Sequence, residues 1–130
     1  MPRYLRPPFL TARVMNPLLM AVGAVPTLAT RGRKTGEWRR VPVNVLEVNG
    51  VQYLVAPRGD THWARNALAN PEVELRLRGK TRRLRAMPVP DSEKPALVSA
   101  YLAKWGGQVR GQFAQLPDPV DHPVFRLEPL

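Results

Sequence analysis

Asn49-Gly50 fixes the first element of any fold available to this chain. Both residues accept the positive φ that a two-residue hairpin loop needs at its centre, and the flanking runs are rich in valine. Trp38–Val48 alternates, with Val41, Val43 and Val45 on one face and Pro42 and Asn44 on the other. The phase moves at Leu46 and Val48, which reads as a bulge or bend of the kind a curled sheet requires. Val51–Ala56 is then the return strand.

The same reasoning extends in both directions. Thr27–Thr30 predicts a strand that enters a glycine-bracketed turn, Arg31-Gly32-Arg33-Lys34-Thr35-Gly36. Val73, Leu75 and Leu77 alternate with Glu72, Glu74, Arg76 and Arg78, and Gly79-Lys80 turns the chain into a further strand, Thr81–Met87. A last short strand is expected over His122–Leu127. Thr61 is placed to cap a helix covering about His62–Ala69, which Asn70-Pro71 ends. Asp91 or Ser92 begins a second helix running to about Lys104, with Ala96, Leu97, Ala100 and Tyr101 as its apolar stripe and Gly106-Gly107 as its stop.

Five or six antiparallel strands with two short helices make a mainly β, α+β chain shaped as a small barrel. Helices and strands do not alternate regularly enough for a doubly wound sheet. The domain reading is an N-terminal arm, residues 1–25, with a short helix over Phe9–Met20, followed by a barrel domain, residues 26–130.

Composition narrows the chemistry. Cysteine is absent, which removes disulfides, thiolate metal sites and cysteine nucleophiles together. His62 and His122 are the only histidines, so no zinc site is expected. No Gly-x-Ser-x-Gly elbow and no P-loop is present, and Asp118 and Asp121 sit in a proline-rich tail suited to turns. The most apolar early stretch, Val14–Leu28, is interrupted by Asn16, Pro17, Gly23 and Pro26, so no membrane span is expected, and Pro7, Pro8 and Arg13 interrupt any early apolar run of the kind a signal peptide needs. The expected location is the cytoplasm, with peripheral membrane contact through the arm left open. Chemistry that needs no catalytic side chain, such as hydride transfer from a bound cofactor, stays available.

Twenty Lys and Arg against ten Asp and Glu leave a net charge of +10, so an anionic partner is expected. The basic residues gather at Arg31–Arg40 and Arg76–Arg85. In the first cluster two glycines expose backbone N–H groups while Arg33, Lys34 and Thr35 add donors, which makes a phosphate cradle. A second candidate region is Ala56-Pro57-Arg58-Gly59, a loop that leads into the helix carrying Trp63 and Asn66; a helix N-terminus offers unpaired N–H groups to an anion. For Trp63 a plain role as a core anchor stands beside the ligand role.

Thr-Arg-Gly-Arg-Lys-Thr-Gly at 30–36, Pro42 on the next strand, Ala-x-Arg-Gly at 56–59, Trp63-x-x-Asn66-x-x-x-Asn70-Pro71 and Pro-Val-Phe-Arg-Leu at 123–127 occur in this order. The ordered set, spanning roughly Pro26 to Leu127, resembles the deazaflavin-dependent nitroreductase family of flavin/deazaflavin oxidoreductases. The resemblance implies an FMN-binding-like split β-barrel that holds coenzyme F-420, a two-electron carrier with a phosphate and an oligoglutamate tail. It implies that Arg33, Lys34 and Thr35 hold the phosphate, that Arg39 or Arg40 meets tail carboxylates, and that Pro42 and the Ala56, Pro57, Arg58 and Gly59 backbone lie against the ring. Asn66 would stand near the cofactor and Trp63 would support the loop. No catalytic side chain and no metal is expected, since the cofactor carries the hydride to a small-molecule acceptor: a quinone, an enone or a nitro compound.

This chain departs from the family's nitroreducing members on the acceptor side. Asn44 occupies a strand position where those carry tyrosine, and the last helix offers only Tyr101 and Trp105; for Tyr101 a place on an apolar stripe is the competing role. Three alternatives remain at this stage: an FMN-binding split-barrel oxidoreductase, a cofactor or lipid carrier without turnover, and a nucleic-acid barrel using Arg76–Arg85. The last is disfavoured, because no aromatic residue interleaves those arginines. The oligomeric state is expected to be monomer or homodimer.

Overall fold

The computed structural model describes residues 25–130; the expected arm helix at Phe9–Met20 lies outside them. Seven strands form one antiparallel sheet: β1 (Thr27–Arg31), β2 (Trp38–Pro42), β3 (Val45–Val48), β4 (Val51–Val55), β5 (Glu72–Leu77), β6 (Lys80–Pro88) and β7 (Val124–Pro129). Helix α1 (His62–Ala69) follows β4, and α2 (Lys94–Gln115) follows β6 through a 3-10 turn at Asp91–Glu93. A second 3-10 turn, Pro119–Asp121, leads into β7.

The strand order is β2-β1-β5-β6-β7-β4-β3, so β2 and β3 are the two outermost strands. Only Val43 and Asn44 connect them. Laid flat, the edges of a seven-stranded sheet would stand about 29 Å apart at the usual strand spacing. Three Cα–Cα steps reach at most about 11 Å. The sheet must therefore curl until its two edges meet, which produces the split barrel.

Val41, Val43 and Val45 point inward, where they pack against Leu28, Leu54, Val73, Leu75, Leu84, Phe125 and the Trp63–Ala64–Ala67 face of α1. A second cluster lies on the other side of the sheet: Leu46, Val55 and Val124 meet Leu97, Val98, Tyr101, Val109 and Phe113 of α2. Neighbouring apolar residues, Val45-Leu46, Leu54-Val55 and Val124-Phe125, thus feed opposite cores, as in strands covered on both faces. The phase change at Leu46 and Val48 marks a newly covered outer face and not a bulge; the chain bends earlier, at Val43-Asn44.

On β5 and the second half of β6 one face remains in water and the alternation holds, while Lys80–Arg83 are exposed throughout. Arg83 meets Glu72 at 3.6 Å and Glu74 at 3.0 Å. An aromatic residue does reach these arginines from a remote part of the sequence: Trp38 has Arg83 5.6 Å and Arg31 4.8 Å from its ring centroid.

Asn49 and Gly50 adopt φ of 52° and 78°, as the hairpin demands. The β5–β6 turn is centred one residue earlier than expected, on Arg78 (φ 53°) and Gly79 (φ 79°). The largest departure is α2, which does not stop at Gly106-Gly107 but runs for 22 residues to Gln115. Each glycine costs about 1 kcal/mol in a helix interior, and burying Val109 and Phe113 beyond them outweighs that cost. Ala96 is exposed, Val98 takes its place on the buried stripe, and Glu93 stands at the N-cap in place of Asp91 or Ser92. A Cβ on Gly107 would meet nothing within 4 Å. Gly107→Ala is therefore expected to raise stability by about 0.5–1 kcal/mol, read as a melting temperature higher by about 3 °C.

Among the described residues no helix is long and apolar enough to cross a membrane. No group of three or more His, Cys, Asp or Glu side chains among them could hold a metal ion.

Candidate functional site

The turn between β1 and β2 is held by its backbone. Gly32 N–H donates to Glu37 O at 2.7 Å, Gly36 N–H donates to Gly32 O at 2.9 Å, and Gly36 takes φ of 75°. A Cβ on Gly32 would come within 3.1 Å of Thr35 Oγ1 and 3.2 Å of Glu37 O, so the turn closes this tightly only around glycine. Arg33, Lys34 and Thr35 are thereby presented side by side at the barrel mouth.

Helix α1 faces this turn. Arg33 donates twice to Asn66 Oδ1, through its backbone N–H at 3.3 Å and Nη1 at 2.7 Å, and its Nη2 lies 3.2 Å from His62 Nδ1. A guanidinium only donates, so His62 Nδ1 accepts and any ring proton sits on Nε2. Asn66, 4% exposed, completes the link by donating Nδ2–H to Thr30 Oγ1 at 3.4 Å. One buried amide therefore ties β1, the basic turn and α1 together.

Between turn and helix lies a cleft of about 570 Å³. Its walls are Thr30, Gly32, Arg33, Lys34, Thr35, Arg39, Arg40, Val41, Arg58, Thr61, His62, Trp63 and Asn66. Five are cations (Arg33, Lys34, Arg39, Arg40 and Arg58) and none is a carboxylate. Positive groups concentrated on a concave wall raise the local potential and favour anions. Glu37 is the nearest compensating charge in the turn, 3.4 Å from Arg39, with both side chains largely in water.

Of the residues singled out from the sequence, Arg33, Lys34, Thr35, Arg39, Arg40, Arg58, Trp63 and Asn66 line this cleft together, Arg39 and Arg40 both. Trp63 also anchors α1 in the inner core, its ring centroid 5.8 Å from that of Phe125. Pro42, Ala56, Pro57 and Gly59, expected against the ring, are not among the residues that line the cleft. Ala56 is fully buried, with its N–H given to Pro123 O and its carbonyl accepting from Gly59 N–H.

Thr30, Val41, Thr61 and His62 are added by the fold, and Gly32 lines the cleft as part of the turn already read as a phosphate cradle. Thr30 and Val41 had a readable signal, since they share the inward parity of Leu28 on β1 and Val43 beyond β2. Thr61 occupies the N-cap of α1, but its hydroxyl makes no capping bond; it is buried without a hydrogen-bond partner among the described residues.

Asn44, Tyr101 and Trp105 meet each other elsewhere, where α2 packs on β3. Asn44 Nδ2 donates to Gln108 Oε1 at 3.2 Å and Trp105 Nε1 donates to Val45 O at 3.4 Å. Tyr101 is buried there, and none of the three borders the cleft. Burial pushes the Tyr101 phenol above its ordinary value of 10.0, and a hydrogen bond with Asn44 offsets part of that rise. A pKa raised in the folded state means that folding is favoured fully below the unfolded value and loses that contribution as pH climbs past it. Denaturant midpoints are thus expected to fall as pH rises above the 10.0 reference toward the raised folded value, and to fall less in Tyr101→Phe.

A model of the F420H(2)-dependent quinone reductase family matches residues 12–120. Among solved structures, an F420-H2 dependent reductase is 27% identical with a TM-score of 0.59, covering 80% of this chain and 93% of that one. A protein described as a domain-swapped dimer is 26% identical with a TM-score of 0.60, covering 80% and 79%. An FAD-binding protein from Mesorhizobium loti, 19% identical with a TM-score of 0.57 over 90% and 91%, shares the fold.

Proposed function

The chain belongs to the F420H(2)-dependent quinone reductase family and is an oxidoreductase; from that premise we propose that it reduces a quinone with reduced coenzyme F-420 held in the basic cleft. The carrying observation is the donor set: five cationic side chains and no carboxylate around one cleft. A flavin mononucleotide brings a single phosphate. A deazaflavin with a phosphodiester and a train of glutamate carboxylates brings several separated negative charges, which suits cations distributed over the turn, β2 and the 56–59 loop.

On this reading Lys34 and Thr35 take the phosphate with Arg33, while Arg39, Arg40 and Arg58 meet carboxylates. When bound, the reduced deazaflavin supplies the hydride. The protein's own work is placement. Asn66 holds Arg33 and α1 at a fixed separation, Trp63 and Val41 present apolar surface to the ring, and the walls exclude water from one side of it. The acceptor then enters from the cleft's open side.

The likeness to a domain-swapped dimer supports assembly as a homodimer. Side-by-side titration with coenzyme F-420 and FMN tests the cofactor: tighter binding of F-420, with oxidation of its reduced form on adding a quinone, is the expected result. Preference for FMN would overturn the assignment, and binding without turnover would make the protein a carrier.

A further inference from the structure

His122 is fully buried where β4, the end of α2 and the start of β7 converge, and both of its ring nitrogens are engaged. Nδ1 lies 2.7 Å from the Ala56 carbonyl oxygen and Nε2 lies 2.6 Å from the Leu116 carbonyl oxygen. Carbonyl oxygens only accept. A neutral imidazole has one N–H, so it would satisfy one carbonyl and turn a lone pair against the other. We infer that His122 is held as an imidazolium, and that this buried cation is a positioning residue for the cofactor cleft, acting through the Ala56 carbonyl.

The surroundings suit a charge. The ring stacks on Phe113 with centroids 4.1 Å apart and planes 16° from parallel, which places the cation over a π face. Leu116 is the C-cap of α2, so Nε2–H meets the negative end of a 22-residue helix. Both contacts have the shortness of charge-assisted bonds. Lys94, the other cation reaching this segment, is held apart by Asp91 at 3.0 Å and the Val120 carbonyl at 3.3 Å.

The effect travels through backbone bonds. The Ala56 carbonyl also receives Gly59 N–H at 3.1 Å, the Gly59 carbonyl receives Thr61 N–H at 2.8 Å, and the Thr61 carbonyl receives Arg65 N–H at 3.0 Å. Arg58, Thr61 and His62, which border the cleft, ride on this relay. His122 thus joins one wall of the cleft to the far end of α2. The positioning role rests on the cleft reading above for its ligand; the charge state does not.

Two measurements test it. In ¹H–¹⁵N spectra of histidine-labelled wild-type protein at neutral pH, both His122 ring nitrogens are expected to carry slowly exchanging protons, and the resonances are expected to move when coenzyme F-420 is added. One nitrogen with the signature of a bare lone pair would overturn the charge, and resonances indifferent to bound F-420 would overturn the coupling; neither outcome depends on a variant folding. His122→Asn, whose single amide nitrogen cannot stand in both ring-nitrogen positions, is expected to raise the F-420 dissociation constant and KM about tenfold while kcat stays within about twofold. Affinity unchanged from wild type in that variant, for F-420 and for FMN as second probe, would also overturn the positioning role. Failure of wild-type protein to bind either probe would instead remove the cleft reading and leave the imidazolium standing.

Discussion

Replacing Arg33 and Lys34 together with alanine is expected to weaken binding of coenzyme F-420 by at least about a hundredfold. A hydrogen bond to a charged group contributes about 1.5–3 kcal/mol, and about 1.4 kcal/mol is a factor of ten in affinity. Two such groups lost from one phosphate site therefore act on that scale, even with screening on a turn that lies partly in water. The single variants separate two roles. Among the described residues the Lys34 side chain makes no hydrogen bond or ion pair, so Lys34→Ala is expected to lower affinity and leave the melting temperature in place. Arg33 also braces Asn66 and His62, so Arg33→Ala is expected to lower both. Isothermal titration of the three variants, with thermal melts beside them, reads the result. Affinity unchanged in the double variant would place the anion elsewhere.

Phe125→Ala is expected to be the most damaging core change. Phe125 has no exposed surface, sits on β7 between Leu54 of β4 and Pro88 of β6, and supports Trp63 of α1. Truncating a buried phenylalanine costs about 3–5 kcal/mol, against a total stability of about 5–15 kcal/mol for a typical domain. The melting temperature is expected to drop by about 10–20 °C. The cleft should suffer with it, because the Trp63 ring forms part of its wall and rests on the Phe125 ring. Calorimetry gives the first effect, and F-420 titration well below the new melting point gives the second. A loss below about 1 kcal/mol would show that the inner core can collapse around the gap, contrary to its close packing.

Local chemistry made much of this readable. The Asn49-Gly50 hairpin, the 31–36 turn and α1 bounded by Thr61 and Asn70-Pro71 are set by residues within a few positions of one another, and they lie where the sequence places them. The basic turn and Arg58, Trp63 and Asn66 were recognisable as a group, and they do share a cleft. Less readable were features decided by distant packing. The doublets Val45-Leu46, Leu54-Val55 and Val124-Phe125 look irregular until α2 is seen to cover the outer face of those strands. The length of α2 was underestimated for the same reason: Val109 and Phe113 find their partners on other elements, while the glycines that argued for a stop act only locally. Asn44, Tyr101 and Trp105 come together at that packing surface, where their neighbours could not be read from spacing alone. Trp38 beside Arg31 and Arg83 is a similar case, an aromatic residue delivered to a charged strand across the sheet.

The two-residue passage from β2 to β3 makes the ring of strands a hoop fastened by its own thread. A seam held only by side chains would gape whenever those side chains changed; one spanned by a taut covalent tether does not. Arg39 and Arg40 lie on the strand that leads into that tether and border the cleft, so their identities can drift to follow different ligands while the hoop keeps its girth.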